Sequence, residues 1–232
     1  MDKQLWDKLI VALDLSKEKD IKQTVTQLLP RVTKFKVGLI PYTVCGPKII
    51  QWIHNKGAEV FLDLKFFDIP HTMGEAAKLL LEMDVWAFTM HLKVGTEVLK
   101  YIKSQLVKES KRRKCQLPLI VGVTELTSHK VPLRKVLKLA GDAHESGIDA
   151  VVCSVWESRQ IKEKFNLLTI TPGIRQKACD DQKRVATVRE ALQEGVDYFI
   201  IGRPIIREKD PRAAAERILK SAAGKKPNLP HT

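Results

Sequence analysis

Eight short apolar runs punctuate the chain: Leu9–Leu13, Phe35–Val37, Val60–Leu64, Trp86–His91, Leu119–Val123, Ala150–Cys153, Leu167–Ile170 and Tyr198–Ile201. Each is only three to six residues long. Most are rich in Val, Ile or Phe, the composition of strands buried on both faces of a parallel sheet. Longer segments with apolar residues at helical spacing lie between them. Ser16 is placed to cap a helix over Lys17–Leu29, and Pro47 to open one that ends at Asn55 before Gly57. Gly74–Glu82, Glu97–Lys111, Pro132–Glu145, Gln182–Glu194 and Pro211–Ala222 are further helices by the same pattern.

Eight strands alternating with helices build either a closed (β/α)8 barrel or a doubly wound sheet. Neither G-x-G-x-x-G nor G-x-x-x-x-G-K-[ST] occurs, so nothing marks a nucleotide-binding sheet. The expected fold is therefore α/β, a (β/α)8 TIM barrel, as a single domain over residues 1–223. The tail Gly224–Thr232 is expected to fray.

Composition narrows the function. Hydrophobic residues are 44% of the 232, enough for a core and too many for a disordered chain. No apolar stretch reaches the eighteen residues of a membrane span, and the N-terminus lacks a signal-peptide pattern, so a cytoplasmic protein is expected. Cys45, Cys115, Cys153 and Cys179 form no C-x-x-C pair and no Cys/His cluster of metal-ligand spacing, so they read as reduced and structural, with no metal. The net charge of +13 allows nucleic acid, an anionic membrane surface or an anionic small molecule as partner. Much of it sits in the runs Lys108–Lys114 and Lys130–Lys138, where no aromatic residue is interleaved for base stacking. Solvated helix faces and a polyanionic substrate account for it, without nucleic acid or membrane.

In a barrel of this kind, chemistry gathers at the C-terminal ends of the strands. Those ends carry Asp14, Lys36, Asp63 with Lys65 and Asp68, His91, Thr124 with Thr127, Thr171–Arg175 and Gly202–Arg203. Asp63 and Lys65 are two apart, so alternation along a strand aims both at the barrel mouth. The last two strand ends suit a phosphate: Gly202 permits close backbone approach, and Arg203 offers a bidentate guanidinium.

These residues carry a close resemblance to the orotidine 5'-phosphate decarboxylase family, bacterial type. It extends over nearly the whole chain, from Leu9 to about Arg212. Val11-Ala-Leu-Asp14 resembles the family's first-strand motif, and Phe35-Lys-Val-Gly38 its second-strand lysine motif. Asp63-Leu-Lys-Phe-Phe-Asp68-Ile-Pro-His-Thr72 matches the signature D-x-K-x-x-D-I-P-x-T. Thr124-Glu-Leu-Thr-Ser128 resembles the pyrimidine-contacting loop, with Thr127 the first choice for the base contact and Ser128 and Thr124 the alternatives. Thr171-Pro-Gly-Ile-Arg175, Gln182 and Gly202-Arg203 resemble the phosphate end. The fourth strand departs from the family pattern V-H-A-S-G-G in reading Met90-His-Leu-Lys-Val-Gly95, and the loop from Arg175 to Gln182 is short.

The resemblance implies decarboxylation of orotidine 5'-monophosphate without any cofactor. Lys36, Asp63, Lys65 and Asp68 would form an alternating charge array, with Lys65 stabilising and protonating a carbanion. Asp14 and Lys36 would bind ribose. Arg175, Gln182, Gly202 and Arg203 would hold the phosphate. It also implies a homodimer in which Asp68 and Thr72 enter the neighbour's site. Related sugar-phosphate lyases share the D-x-K-x-x-D core and are the nearest alternative. A basic nucleic-acid-binding protein, which rests on charge alone, is the other.

Overall fold

A computed structural model describes residues 3–125, 131–175 and 186–223. Eight parallel strands close into a barrel in sequence order, β1 (Leu9–Ala12), β2 (Lys34–Gly38), β3 (Glu59–Phe66), β4 (Ala87–His91), β5 (Leu119–Val123), β6 (Ala150–Val152), β7 (Leu168–Thr171) and β8 (Tyr198–Ile201). Closure is made by β1 on β8, with Ile10 opposite Ile200. The expected barrel is thus the observed one, and each strand lies within two residues of its apolar run.

Helices cover the outside: α1 (Lys3–Asp7), α2 (Glu18–Leu28), α3 (Leu39–Cys45), α4 (Lys48–His54), α5 (Pro70–Leu80), α6 (Thr96–Arg113), α7 (Leu133–Glu145), α8 (Val155–Phe165), α9 (Val188–Gln193), α10 (Arg203–Ile206) and α11 (Pro211–Ala223), with a 3-10 turn at Leu92–Val94. Their inner faces follow the helical period. Ile21, Val25 and Leu28 of α2 are buried, as are Leu99, Ile102 and Leu106 of α6.

Several boundaries differ from expectation. Lys17, not Ser16, stands at the N-cap of α2, and it makes no side-chain cap bond. Glu18 and Asp20 in the first turn supply the charge that favours a helix start. Helix α5 begins at Pro70, four residues before Gly74, because proline's fixed φ suits the first helical turn. Thr72 therefore sits in that first turn. Gln182 and the start of its expected helix fall outside the described residues, as do Thr127, Ser128, Cys179 and the tail from Gly224. Cys45, Cys115 and Cys153 are free thiols. No helix among the described residues is long and apolar enough to cross a membrane.

The core has two layers. The larger lies between strands and helices. The smaller fills the barrel with Ile10, Ala12, Phe61, Ala87, Val121, Val123, Ala150, Val152, Ile170 and Ile200. Toward the N-terminal end, Trp86 packs edge-on to both Phe61 and Tyr198, and Lys34 lies over the Trp86 and Tyr198 rings while pairing with Glu59. Toward the other end the apolar filling stops, and a cavity opens.

Candidate active site

The cavity encloses about 470 Å3 at the C-terminal mouth of the barrel. Ala12, Phe61, Val123, Val152 and Ile200 form its apolar floor, which is the top of the barrel's own core. Its polar wall begins on the first three strands. The Lys36 ammonium lies 3.2 Å from Asp14 Oδ1 and 3.4 Å from Asp63 Oδ2, and Lys65 Nζ donates to Asp63 Oδ1 at 2.9 Å. Four charges alternate in a row, Asp14, Lys36, Asp63 and Lys65. Asp14 and Lys65 at the ends are partly exposed, whereas Lys36 and Asp63 are buried.

Burial alone would raise the Asp63 pKa. The Lys36 and Lys65 ammonium groups, with hydrogen bonds from Lys65 and Thr89, outweigh it and hold the carboxyl below its ordinary 3.8. Asp63 is therefore a buried carboxylate at neutral pH. Gly38 makes room for this row: a Cβ there would stand 2.8 Å from Lys36 Nζ and 3.4 Å from Asp14 Oδ1.

Lys65 does not reach the mouth by simple alternation. Leu62 pairs with Phe88, and the next partners are Phe66 and Met90, so three residues of β3 stand against Thr89 alone. Within this bulge Lys65 has φ +53°, in the left-handed region that non-glycine residues seldom occupy. The sequence expectation that Asp63 and Lys65 face one site holds, but the bulge aims Lys65.

The lining continues through the ends of β7 and β8, which closes the barrel against β1. Pro172, Gly173, Ile174 and Arg175 line the cavity there with Gly202, Arg203 and Pro204. The strand-like pairing of Ile174 with Ala186 fixes the outgoing chain, and Arg175 N donates to Ala186 O at 2.8 Å. Gly202 comes close to β1, where an added Cβ would meet Ala12 Cβ at 3.3 Å. Arg207, one turn beyond Arg203, also lines the cavity and was not read from the sequence. A third cation after Gly202-Arg203 is detectable only once the short helix α10 sets the spacing.

Asp68 and Thr72 are not among the cavity's lining residues. Both are exposed, and Asp68 Oδ1 accepts the Ile69 N–H at 2.7 Å. Thr124 is buried and its hydroxyl donates to Val152 O at 2.8 Å, so it ties β5 to β6 rather than presenting a free hydroxyl. Thr127, Ser128 and Gln182 lie outside the described residues.

Glu125 lines the cavity and pairs with Lys93 at 2.7 Å, across the ends of β5 and β4. His91, at the end of β4, has its pKa lowered first by burial and then by Lys93 and Lys65, against the opposing carboxylates Glu125 and Asp63. Its ring packs 5.3 Å from Phe67. No group of three or more His, Cys, Asp or Glu among the described residues is arranged to hold a metal ion.

Known proteins share this fold and much of its sequence. A crystal structure of orotidine 5'-phosphate decarboxylase from Lactobacillus acidophilus superposes with a TM-score of 0.79 at 32% identity, covering 93% of this chain and 99% of that one. A protein named orotidine 5'-phosphate decarboxylase from Dictyoglomus thermophilum is 38% identical over 222 residues, 89% of this chain and 91% of that protein. One of the same name from Coxiella burnetii is 37% identical over 229 residues, 92% of this chain and 95% of that protein. The model of the orotidine 5'-phosphate decarboxylase / HUMPS family matches residues 7–218, and the chain belongs to that family.

Proposed function

We propose that the chain converts orotidine 5'-monophosphate to uridine 5'-monophosphate and CO2, a step of pyrimidine nucleotide synthesis in the cytoplasm, without a cofactor. The observation that carries this reading is that the row Asp14–Lys36–Asp63–Lys65 lines one cavity together with Arg175, Arg203 and Arg207. Breaking the bond between C6 and the carboxylate leaves the electron pair on C6. With no conjugated sink, that charge must be stabilised by a fixed positive group. The Lys65 ammonium is such a group, and it carries the proton that C6 needs to become uridylate. Asp63 orients the Lys65 ammonium through their 2.9 Å hydrogen bond. Asp14 and Lys36 suit the ribose hydroxyls. Arg175 and Arg203, with Gly202, suit the phosphate, and Arg207 adds a further cation. Thr127 remains the reading for the base contact and Gln182 for the phosphate.

The second part of the reading is a homodimer in which Asp68 and Thr72 complete the partner's site, Asp68 near the departing carboxylate. It is supported by their position outside their own cavity. Beside them lie exposed apolar side chains, Leu39, Ile40 and Val44 on α3 and Phe67 and Ile69 before α5, on neighbouring strand ends. Large apolar side chains exposed on neighbouring strand ends suit an interaction face.

The test is turnover. Purified protein treated with EDTA is expected to release CO2 and form uridylate from orotidylate. Lys65→Ala, still folded by circular dichroism, is expected to lose at least about 1,000-fold in kcat, since it removes both a charge stabiliser and a proton donor. Inactivity on orotidylate, with Mg2+-dependent turnover of 3-keto-L-gulonate 6-phosphate instead, would assign the chain to the sugar-phosphate branch.

A further inference from the structure

Thr89 is the single residue of β4 opposite the three-residue bulge in β3, and it is 1% exposed. Its hydroxyl makes two bonds across that opening. It accepts the Lys65 backbone N–H at 2.9 Å and donates to Asp63 Oδ1 at 3.0 Å. The bulge withdraws the Lys65 N–H from the regular ladder, and a buried amide without a partner is costly. A left-handed conformation at a lysine is likewise unfavourable unless its surroundings fix it. The Thr89 hydroxyl meets both needs with one atom. The same atom holds the carboxylate oxygen that Lys65 Nζ contacts at 2.9 Å. Backbone and side-chain partner of Lys65 are thus tied to one point on the neighbouring strand.

We propose that Thr89 is a positioning residue: its hydroxyl locks the bulge and the Asp63 carboxylate together, and so sets where the Lys65 ammonium stands in the cavity. This rests on the reading of Lys65 as the group that acts on the substrate. It makes the side chain opposite the bulge a determinant of turnover, although Thr89 does not line the cavity. Valine has threonine's shape without its hydroxyl and neither accepts from Lys65 N nor donates to Asp63. Serine keeps the hydroxyl and loses only a methyl group.

Thr89→Val and Thr89→Ser decide the question, with kcat on orotidylate, Kd for uridine 5'-monophosphate and a crystal structure of each variant as readouts. In Thr89→Val, kcat is expected to fall on the order of 100-fold, as for a misplacement of the reacting group by about 1 Å. Uridylate should bind within about threefold of wild type, since the phosphate wall and ribose contacts are untouched. Lys65 should leave its left-handed φ or its contact with Asp63. Thr89→Ser should restore kcat to within a few-fold. A purely structural role would lower thermal stability and uridylate binding together without a selective loss of kcat. A folded Thr89→Val with wild-type kcat, or with Lys65 unmoved in its crystal structure, overturns the proposal. Should Thr89→Val not fold, Thr89→Ala takes its place, and equal kcat for the alanine and serine variants overturns it. Should the wild-type protein itself fail to decarboxylate orotidylate, the reaction assignment falls, and the position of Lys65 in the variant structures alone decides the role of Thr89.

Discussion

Lys36 shows how residue types and positions combine. Strand alternation turns Phe35 and Val37 toward the helix layer, and the register of β2 on β3 sets Lys36 beside Phe61 and Gly38 beside Asp63. That Asp14, Lys36, Asp63 and Lys65 gather at one cavity was legible from their places within or just after apolar runs. The bulge that aims Lys65 was not, because it depends on how β3 registers against β4 and leaves no mark in the alternation of Val60–Phe66. The row of charges also predicts a pH effect. Asp63 has its pKa lowered in the folded state, so its contribution to stability is present above its ordinary 3.8 and is lost only as the pH falls through the lower folded value. Lys36→Met removes the strongest of the opposing charges and leaves burial to push the carboxyl up. Destabilisation of roughly 3 kcal/mol is expected at pH 7, at the low end for breaking a buried pair because Lys65 remains. The gap from wild type should narrow as the pH is lowered and Asp63 protonates, which denaturant titrations at a series of pH values would measure. A gap independent of pH would show that Lys36 does not act through Asp63. Gly38→Ala tests the same row by crowding. The new methyl meets the flexible end of Lys36, so the fold should hold while kcat/KM drops on the order of tenfold.

Elements followed the sequence most faithfully where periodicity was long and apolar. The eight strands and helices α6, α7 and α11 lie close to their expected spans. Helix α8 was missed, although Ser154-Val-Trp-Glu157 has the spacing of a capping box before a helix. The Ser154 N–H donates to Glu157 Oε2 at 2.7 Å, and Glu157 is 4% exposed. The signal was present; only the apolar stripe was weak, since Val155 and Ile161 are its sole buried large aliphatics. Short helices such as α3 and α10 display too little of a 3.6-residue period to be read from it, whereas α4, as short as α3, was legible through Pro47 at its start and Gly57 past its end. Glu157→Ala leaves the buried Ser154 N–H without its acceptor and should destabilise the protein by about 1–2 kcal/mol. Glu157→Gln retains an oxygen at the same reach and should cost less. Equal melting temperatures for both variants and wild type would show that the start of α8 does not depend on this cap. Helix α6 carries most of the charge run Lys108–Lys114. Arg112 and Arg113 end α6, where cations complement the helix dipole, and both pair with Glu109, Arg113 also with Glu82. Two of that run's five cations are thereby paired within the molecule.

At the scale of the whole molecule the two barrel ends divide the labour. The N-terminal end is packed around Trp86, Tyr198 and Lys34, while the C-terminal end holds the cavity, the charge row and the exposed apolar side chains of α3 and the β3–α5 connection. That connection also carries Asp68, and the turn after it Thr72, both directed to solvent in the single chain. A second copy seated on this face would cover Leu39, Phe67 and Ile69 and receive Asp68 and Thr72 at its own cavity. A two-fold interface of this kind uses the same patch on each subunit, so each site draws residues from both chains. Subunit mixing separates this arrangement from self-contained sites. Lys65→Ala and Asp68→Ala homodimers are each expected to be nearly inactive. In a mixed dimer with shared sites, one site receives both defects and the other receives Lys65 from one chain and Asp68 from the other. An equimolar mixture brought to random assortment should therefore recover about a quarter of the wild-type activity, half of the dimers being mixed and each holding one intact site of two. Co-expression with two affinity tags, followed by sequential purification, isolates the mixed dimers and removes dependence on spontaneous exchange. Purified mixed dimers that stay as inactive as their parents would confine each site to a single chain and take Asp68 and Thr72 out of the partner's cavity.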